Sequence, residues 1–274
     1  MNTLQGRNAI VTGCSRGLGP IIGGALAREG VNLAVAARSR GPLEEEARKL
    51  ASQRVKVVAI IADISDPNDR AELLRHAQAA IGPIDILVNN AAVEETARFD
   101  RQSPETVVGT IETNLIAPMM LIRGVLPGML ERGRGHIVNI ASMAGKKGLP
   151  YNATYSASKA GIIEWTQAMQ FELEGTGVGA SVICPGYVAE AGMFAGEEEN
   201  TPSLAGASSP EQVTDAVVRA IRENIQELLV NPGPTRLLLA LDALSRSLGN
   251  TLYRRMGVVD LYRPLAEPGA ESSS

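Results

Sequence analysis

The chain has 274 residues, 45% of them hydrophobic and 20% charged, with a net charge of −4. A chain of this length buries roughly three quarters of its unfolded surface and needs no staples; its two cysteines, Cys14 and Cys184, lie far apart, which excludes a disulfide scaffold and points to a reducing, cytoplasmic setting. The acidic balance, without a basic block, excludes nucleic-acid binding by phosphate neutralisation, and the two histidines, His76 and His136, cannot build a His-rich metal site and read as ordinary surface or edge residues.

The N-terminus runs straight into a strand and lacks the apolar core of a signal peptide. No uninterrupted apolar stretch is long enough to span a bilayer, so no membrane association is expected. Short apolar runs predict strands at 8–12, 32–36, 55–60, 84–88, 136–140 and 179–183, with a weaker one at 227–230. Such near-continuous runs imply burial on both faces. Helical patterns fill the gaps at 43–52, at 69–81 after the start signal Asp66-Pro67, and at 106–132 and 155–174. Strand and helix alternating with short links predict an α/β fold: one doubly wound parallel sheet of about seven strands with helices on both faces.

Directly after the first strand comes Thr12-Gly13-Cys14-Ser15-Arg16-Gly17-Leu18-Gly19. Gly13 permits a tight turn, and Gly17 and Gly19 permit backbone to approach a pyrophosphate and the next helix to pack on the sheet. The helix start then offers unpaired N–H groups to phosphate. Pro20 is tolerable there only because it falls in the first turn. Among 28 glycines such a trio can arise by chance; its place between strand and helix makes the difference. Further on, Tyr155 and Lys159 stand four apart, on one face of a helix. A nearby ammonium favours tyrosinate and brings a phenol toward the acid/base range. Ser142 ends the fifth strand, where its hydroxyl can meet a substrate oxygen. Taken singly, the Tyr–Lys pair reads as a helix surface pair, Ser142 as a strand-end cap and Asn114 as a polar residue inside a helix.

Taken together they resemble the short-chain dehydrogenase/reductase family. The resemblance rests on Thr12, Gly13, Gly17 and Gly19, Asn89-Asn90-Ala91-Ala92, Asn114, Ser142, Tyr155-Ser156-Ala157-Ser158-Lys159 and Pro185-Gly186, in that order over about residues 5–232. It implies that Tyr155 donates a proton to a carbonyl oxygen, Lys159 binds nicotinamide ribose and lowers the tyrosine pKa, and Ser142 polarises the carbonyl. It also implies that Asn114 holds a proton-relay water against a backbone carbonyl. The cofactor-binding set it implies is Gly13, Ser15, Arg16, Gly17, Leu18, Gly19, Arg38, Asp63, Ile64, Asn90, Ala91, Tyr155, Lys159, Pro185, Gly186 and Val188. Ala37 stands where NAD-binding members carry an acid, and Arg16 and Arg38 suit a 2′-phosphate, so the cofactor expected is NADP(H).

The chain departs from the pattern at Ala92, in place of glycine, and at Glu190, in place of a carboxamide-binding threonine. Residues 189–209 read as a lid with Met193 and Phe194 as its apolar contacts, and Glu94, Glu95, Met143, Leu149, Tyr151 and Tyr187 are pocket candidates by position. Lys146 and Lys147 read as a solvated loop, with attraction of an anionic substrate as the sharper alternative. The division expected is a catalytic dinucleotide-binding domain over 1–234, a helical extension over 235–266 and a frayed tail over 267–274. Thr235 reads as an N-cap, and Leu237, Leu241, Leu244 and Leu248 as the buried stripe of one helix, packed beside the cleft or on a second subunit, with a membrane surface as the weakest alternative. The function expected is interconversion of a carbonyl and an alcohol, ketone reduction above all, on a 3-oxoacyl or other hydrophobic substrate, in a homodimer or homotetramer. A related epimerase or dehydratase is an alternative within enzymes, and a catalytically silent NADP-sensing regulator one outside them.

Overall fold

The computed structural model describes residues 3–189 and 206–266. Its apolar runs pair as one parallel sheet, because a strand with apolar side chains on both faces needs cover on both. In chain order the elements are β1 (Asn8–Thr12), α1 (Leu18–Arg28), β2 (Asn32–Ala37), α2 (Arg40–Ala51), β3 (Val57–Ile61), α3 (Pro67–Ile81), β4 (Ile86–Asn89) and α4 (Pro104–Ile111). A single π turn, Glu112–Ile116, leads into α5 (Ala117–Glu131), β5 (Gly135–Ile140), α6 (Met143–Lys146), α7 (Ala153–Glu172) and β6 (Val178–Pro185). Then come β7 (Tyr187–Val188), β8 (Ala207–Ser208), α8 (Pro210–Glu223), β9 (Glu227–Val230), α9 (Thr235–Leu244), α10 (Arg246–Arg255) and α11 (Val258–Ala266).

The strand order is β3-β2-β1-β4-β5-β6-β9, all parallel, so the seven-stranded doubly wound sheet stands as expected. Alternate residues serve opposite faces. Ala9, Val11 and Val35 pack with Ile22 and Leu26 of α1, Leu43 of α2 and Val213 and Val217 of α8. Ile10, Ala34, Leu87 and Ile137 pack on the other face with Leu73 of α3, Leu121 and Val125 of α5 and Met169 of α7. Asp66 starts α3 as expected, its carboxylate accepting from the N–H groups of Asn68 and Asp69 at 2.7 and 3.0 Å.

Four sequence expectations need correction. His136 is a core residue of β5, 2% exposed, with Nε2 2.8 Å from Ser181 Oγ. Burial disfavours its charged form and pushes its pKa down to about 3. The helical run Pro104–Glu131 is long and apolar enough to cross a membrane, contrary to expectation, but it packs on α3, α7, β4 and β5 as a core helix does. Lys146 and Lys147 are not solvated loop residues: Lys146 pairs with Glu227 at 2.6 Å and Lys147 with Asp242 at 2.5 Å.

The fourth correction concerns the C-terminal segment, which forms three short helices instead of one. Thr235 is the first helical residue and not a cap; its Oγ1 accepts from Asn231. Ser245 is extended at φ −152° and caps α10, accepting from Leu248 N at 3.3 Å. Gly249 then lies so close to the Asp242 carboxylate that a side chain there would collide with it. This reversal breaks the leucine period: Leu237, Leu244 and Leu248 face outward, and Leu238, Leu239 and Leu252 face inward. Glu190, Met193, Phe194 and the tail from residue 267 lie outside the described residues.

Candidate active site

The parallel strands all end on one edge, where open α/β sheets hold ligands. Between β1 and α1, Gly13 has φ 70°, and a Cβ there would lie 2.7 Å from Ala91 Cα. A Cβ on Gly19 would strike the Gly13 carbonyl oxygen, so this glycine closes the turn on itself. Helix α1 begins with no side-chain cap on its first N–H groups, which leaves them for an anion. Thr12 joins this turn to the neighbouring strand: its Oγ1 accepts from the N–H groups of Asn90 and Ala91 at 3.0 and 3.1 Å. The Asn90 amide in turn donates to the Thr12 carbonyl at 3.0 Å.

The reacting end is built by β5, α6, α7 and the π turn. Ser142 caps α6, accepting from Ala144 N at 3.1 Å, and is hydrogen-bonded to the Tyr155 hydroxyl. One turn along α7, Lys159 donates to the Ile140 carbonyl at 2.9 Å, with its nitrogen 5.6 Å from the centre of the Tyr155 ring. Asn114 lies in the π turn, a break that marks functional sites in helices. Its Oδ1 accepts from Val93 N and its Nδ2 donates to the Val93 carbonyl, both at 2.8 Å, and to Ser158 Oγ at 3.1 Å. Ser158 passes the link on to the Tyr155 carbonyl at 2.7 Å.

A cavity of about 650 Å³ joins the two ends. Arg16, Gly17, Leu18 and Asn90 line one side, and Ser142, Tyr155, Lys159, Pro185, Gly186 and Val188 the other. Glu94, Met143, Leu149 and Tyr187 also reach it, whereas Glu95 and Tyr151 do not. Arg38, Asp63 and Ile64 lie beyond its walls, past the ends of β2 and β3: Arg38 and Asp63 pair at 3.8 Å, and the Ile64 side chain is buried in the core. Gly13, Ser15, Gly19, Ala91 and Asn114 stand behind the lining. The far wall comes from α9, α10, α11 and the Met256 cap between the last two, through Leu238, Leu239, Leu252, Tyr253, Met256 and Tyr262.

The sequence profile of the short chain dehydrogenases matches residues 7–202. The chain belongs to the short-chain dehydrogenase/reductase family. "Ketoacyl reductase HetN" of Nostoc sp. is 44% identical over 272 residues, which is 97% of this chain and 95% of that protein. An uncharacterized oxidoreductase of Staphylococcus aureus is 31% identical over 236 residues, covering 85% of this chain and all of that one. A metagenomic short-chain oxidoreductase solved in complex with NADP superimposes with a TM-score of 0.72 at 30% identity, over 83% of this chain and 97% of that one. This short-chain dehydrogenase is therefore an oxidoreductase of the carbonyl/alcohol pair, in a family that uses nicotinamide cofactors.

The electrostatics of the dehydrogenase's site differ from the sequence expectation. Burial, and then the charge of Glu94, push the Tyr155 hydroxyl above its usual range, against the lowering effect of its bond to Ser142. Burial brings Lys159 down to about 8, with Glu94 resisting. Asp63 is pushed up by burial, but hydrogen bonds from Ser65 and the charge of Arg38 outweigh this and hold it below its usual range. Three supporting residues had no assigned role in the sequence reading: Thr12, Ser158 and Arg70. Arg70 is 8% exposed and ties the chain after β3 to the π turn, donating to the Ile64 carbonyl at 2.6 Å and to Glu112 at 3.1 Å. Thr12 and Ser158 fall inside recognised motifs, so their position was a usable signal; Arg70 had none.

Proposed function

We propose that this enzyme reduces a ketone on an apolar molecule with NADP(H), and that Tyr155 supplies the proton. The observation that carries the reading is the convergence of Ser142, Tyr155 and Lys159 on one wall of a cavity whose other end is the glycine turn. The turn with its uncapped helix start and the groove along Asn90 fit a nicotinamide dinucleotide. Gly13, Ser15, Arg16, Gly17, Leu18 and Gly19 would hold its pyrophosphate, Arg38, Asp63, Ile64, Asn90 and Ala91 its adenosine half, and Lys159, Pro185, Gly186 and Val188 its nicotinamide half. When bound, the cofactor supplies the hydride.

The chain's own residues supply the rest. Ser142 donates to the carbonyl oxygen and stabilises the charge that develops there. Tyr155 donates its proton to that oxygen; a buried, neutral phenol enters the cycle in the donor form that reduction requires. Asn114 holds α7 in place through Ser158 and Val93 and offers its π-turn backbone to a relay water. The apolar wall of Met143, Leu149, Leu238, Leu239 and Leu252 favours a hydrophobic substrate, and the Nostoc relative makes 3-oxoacyl compounds the first to test. A silent regulator would have no use for an ordered Ser142–Tyr155–Lys159 wall. The two buried free thiols suit a reducing, cytoplasmic compartment, and the outward Leu237, Leu244 and Leu248 favour a homo-oligomer.

Tyr155→Phe tests the reading, because it removes the proton donor and keeps the ring. Turnover is expected to fall roughly 10²–10⁴-fold with cofactor affinity nearly unchanged, measured by NADPH consumption and by fluorescence titration. A variant that keeps more than about a tenth of wild-type kcat would rule Tyr155 out as the acid.

A further inference from the structure

Among the described residues two carboxyls, Glu94 and Asp242, line the cavity, and the proposed reaction uses neither. Glu94 follows the strand-end segment Asn89–Val93 and lines the same cavity as Ser142 and Tyr155. Its Oε1 is fully buried and has no hydrogen-bond partner among the described residues. Asp242, the other carboxyl at the cavity, is satisfied by Lys147 and Arg246 at 2.5 and 2.7 Å, so it asks nothing of a ligand. A buried carboxyl oxygen without a partner is costly when charged, so this burial favours the neutral acid, whose other oxygen is left for the cavity that Glu94 lines. Among the described residues, the titratable groups that act on Glu94 are Tyr155 and Lys159 on α7, Tyr187 on β7 and Tyr262 on α11. Of these only Lys159 favours the carboxylate, and it is committed to the Ile140 carbonyl. Burial prevails and raises Glu94 to about 7, so its neutral, hydrogen-donating form is well populated at neutrality.

We infer that Glu94 donates a hydrogen bond to a second carbonyl oxygen of the substrate, selecting ketones that carry an acyl group close to the reacting carbonyl. The inference rests on the ketone-reduction reading and deepens it. Because the three side chains line one cavity, an acyl oxygen beside the ketone would meet Glu94 while the ketone oxygen meets Ser142 and Tyr155; a plain ketone would leave the carboxyl without that partner. Binding energy thus discriminates between molecules of equal apolar content, since a polar group left unpaired is penalised more than an apolar contact is rewarded.

The test compares a 3-oxo ester with a plain ketone of matched length in NADPH-oxidation assays of the wild type, Glu94→Gln and Glu94→Leu. The quantity followed is the ratio of the two kcat/KM values, which cancels general loss of folded enzyme. In Glu94→Leu the ratio is expected to fall about tenfold, through KM of the ester; Glu94→Gln, which still donates, should hold it within about threefold. In the wild type the ratio should decline as pH rises through about 7, where the donor is lost, and in Glu94→Gln it should not. A wild-type ratio near one, or one flat across neutrality, overturns the role of Glu94 even if both leucine and glutamine variants fail to fold. Absence of turnover with either compound overturns the ketone-reduction reading, and this inference with it.

Discussion

Arg38 stands just past the end of β2, 64% exposed, with its guanidinium 3.8 Å from Asp63. An exposed pair at that distance contributes at most ~1 kcal/mol to stability, so Arg38 is not held there for the fold. What it offers is a planar fork past the end of β2, where the proposed adenosine half would lie and Ala37 presents no competing charge. Replacing it isolates ligand choice from folding. Arg38→Asp is expected to leave Tm nearly unchanged and to lower the ratio of kcat/KM for NADPH over NADH by at least about tenfold, because a carboxylate repels a 2′-phosphate. Kinetics with both cofactors decide the matter: a wild type that prefers NADH, or a ratio indifferent to the substitution, would mean that the adenosine end is read by other residues. His136 shows the opposite case, a titratable side chain that burial and Ser181 have turned into a neutral core residue with no part in the site.

At the scale of elements, the site depends on how closely α6 approaches α7. Gly145 makes that approach: a Cβ there would lie 2.6 Å from the Lys159 carbonyl carbon and 2.7 Å from Ile163 Cδ1. Helix backbone cannot yield by that much, so α6 must move away, taking with it the Ser142 cap and loosening the Lys159 bond to Ile140. Gly145→Ala is therefore expected to cost ~1–3 kcal/mol of stability and to lower kcat more than it changes cofactor affinity. Wild-type Tm and kcat in that variant would show that the two helices can separate freely. The same contrast explains what could be read from the sequence. Strands buried on both faces announce themselves as apolar runs, and the glycine turn, Ser142, Tyr155 and Lys159 are marked by fixed spacing and order. The π turn at Glu112–Ile116 is one extra residue inside an apolar helix and leaves no periodic trace. Gly145 is one glycine among 28, and only the packed backbone shows what it admits. The leucine period after Thr235 is helical in the structure too, but it is split among short helices and turned to another face, because Ser245 and Gly249 fold the segment back on itself and the inward side is decided by Asp242 meeting Lys147.

At the scale of the whole molecule, the C-terminal helices form the far wall of the cavity. The ties that hold them include Lys147 to Asp242 at 2.5 Å, Lys147 to Asn250 at 2.6 Å, Asn231 donating to Thr235 Oγ1, and the Tyr187 hydroxyl donating to that of the buried Tyr262 at 3.1 Å. None of these reaches the glycine turn, where the pyrophosphate would sit, and at the strand edge only Tyr187 and Asn231 are tied. Cutting the chain after Gly233 should therefore separate the two halves of the binding problem. The sheet and its two helical layers remain complete, so the shortened protein should fold and bind NADPH with near-native affinity. The apolar lining from Leu238, Leu239, Leu252 and Met256 goes, and Tyr187 loses its partner. Each large apolar side chain removed from contact with substrate forfeits up to ~1.5–3 kcal/mol of burial, so kcat/KM for a long-chain ketone should drop by at least about a hundredfold and that for a short one by much less. The cut also deletes the outward Leu237, Leu244 and Leu248, so an assembly built on them should appear as a smaller mass in solution. Titration calorimetry with NADPH, turnover across a series of chain lengths and light scattering test the three consequences separately. A shortened enzyme with unchanged mass and unchanged preference for long chains would show that residues 235–266 are a dispensable appendage and that the cavity's far wall selects nothing.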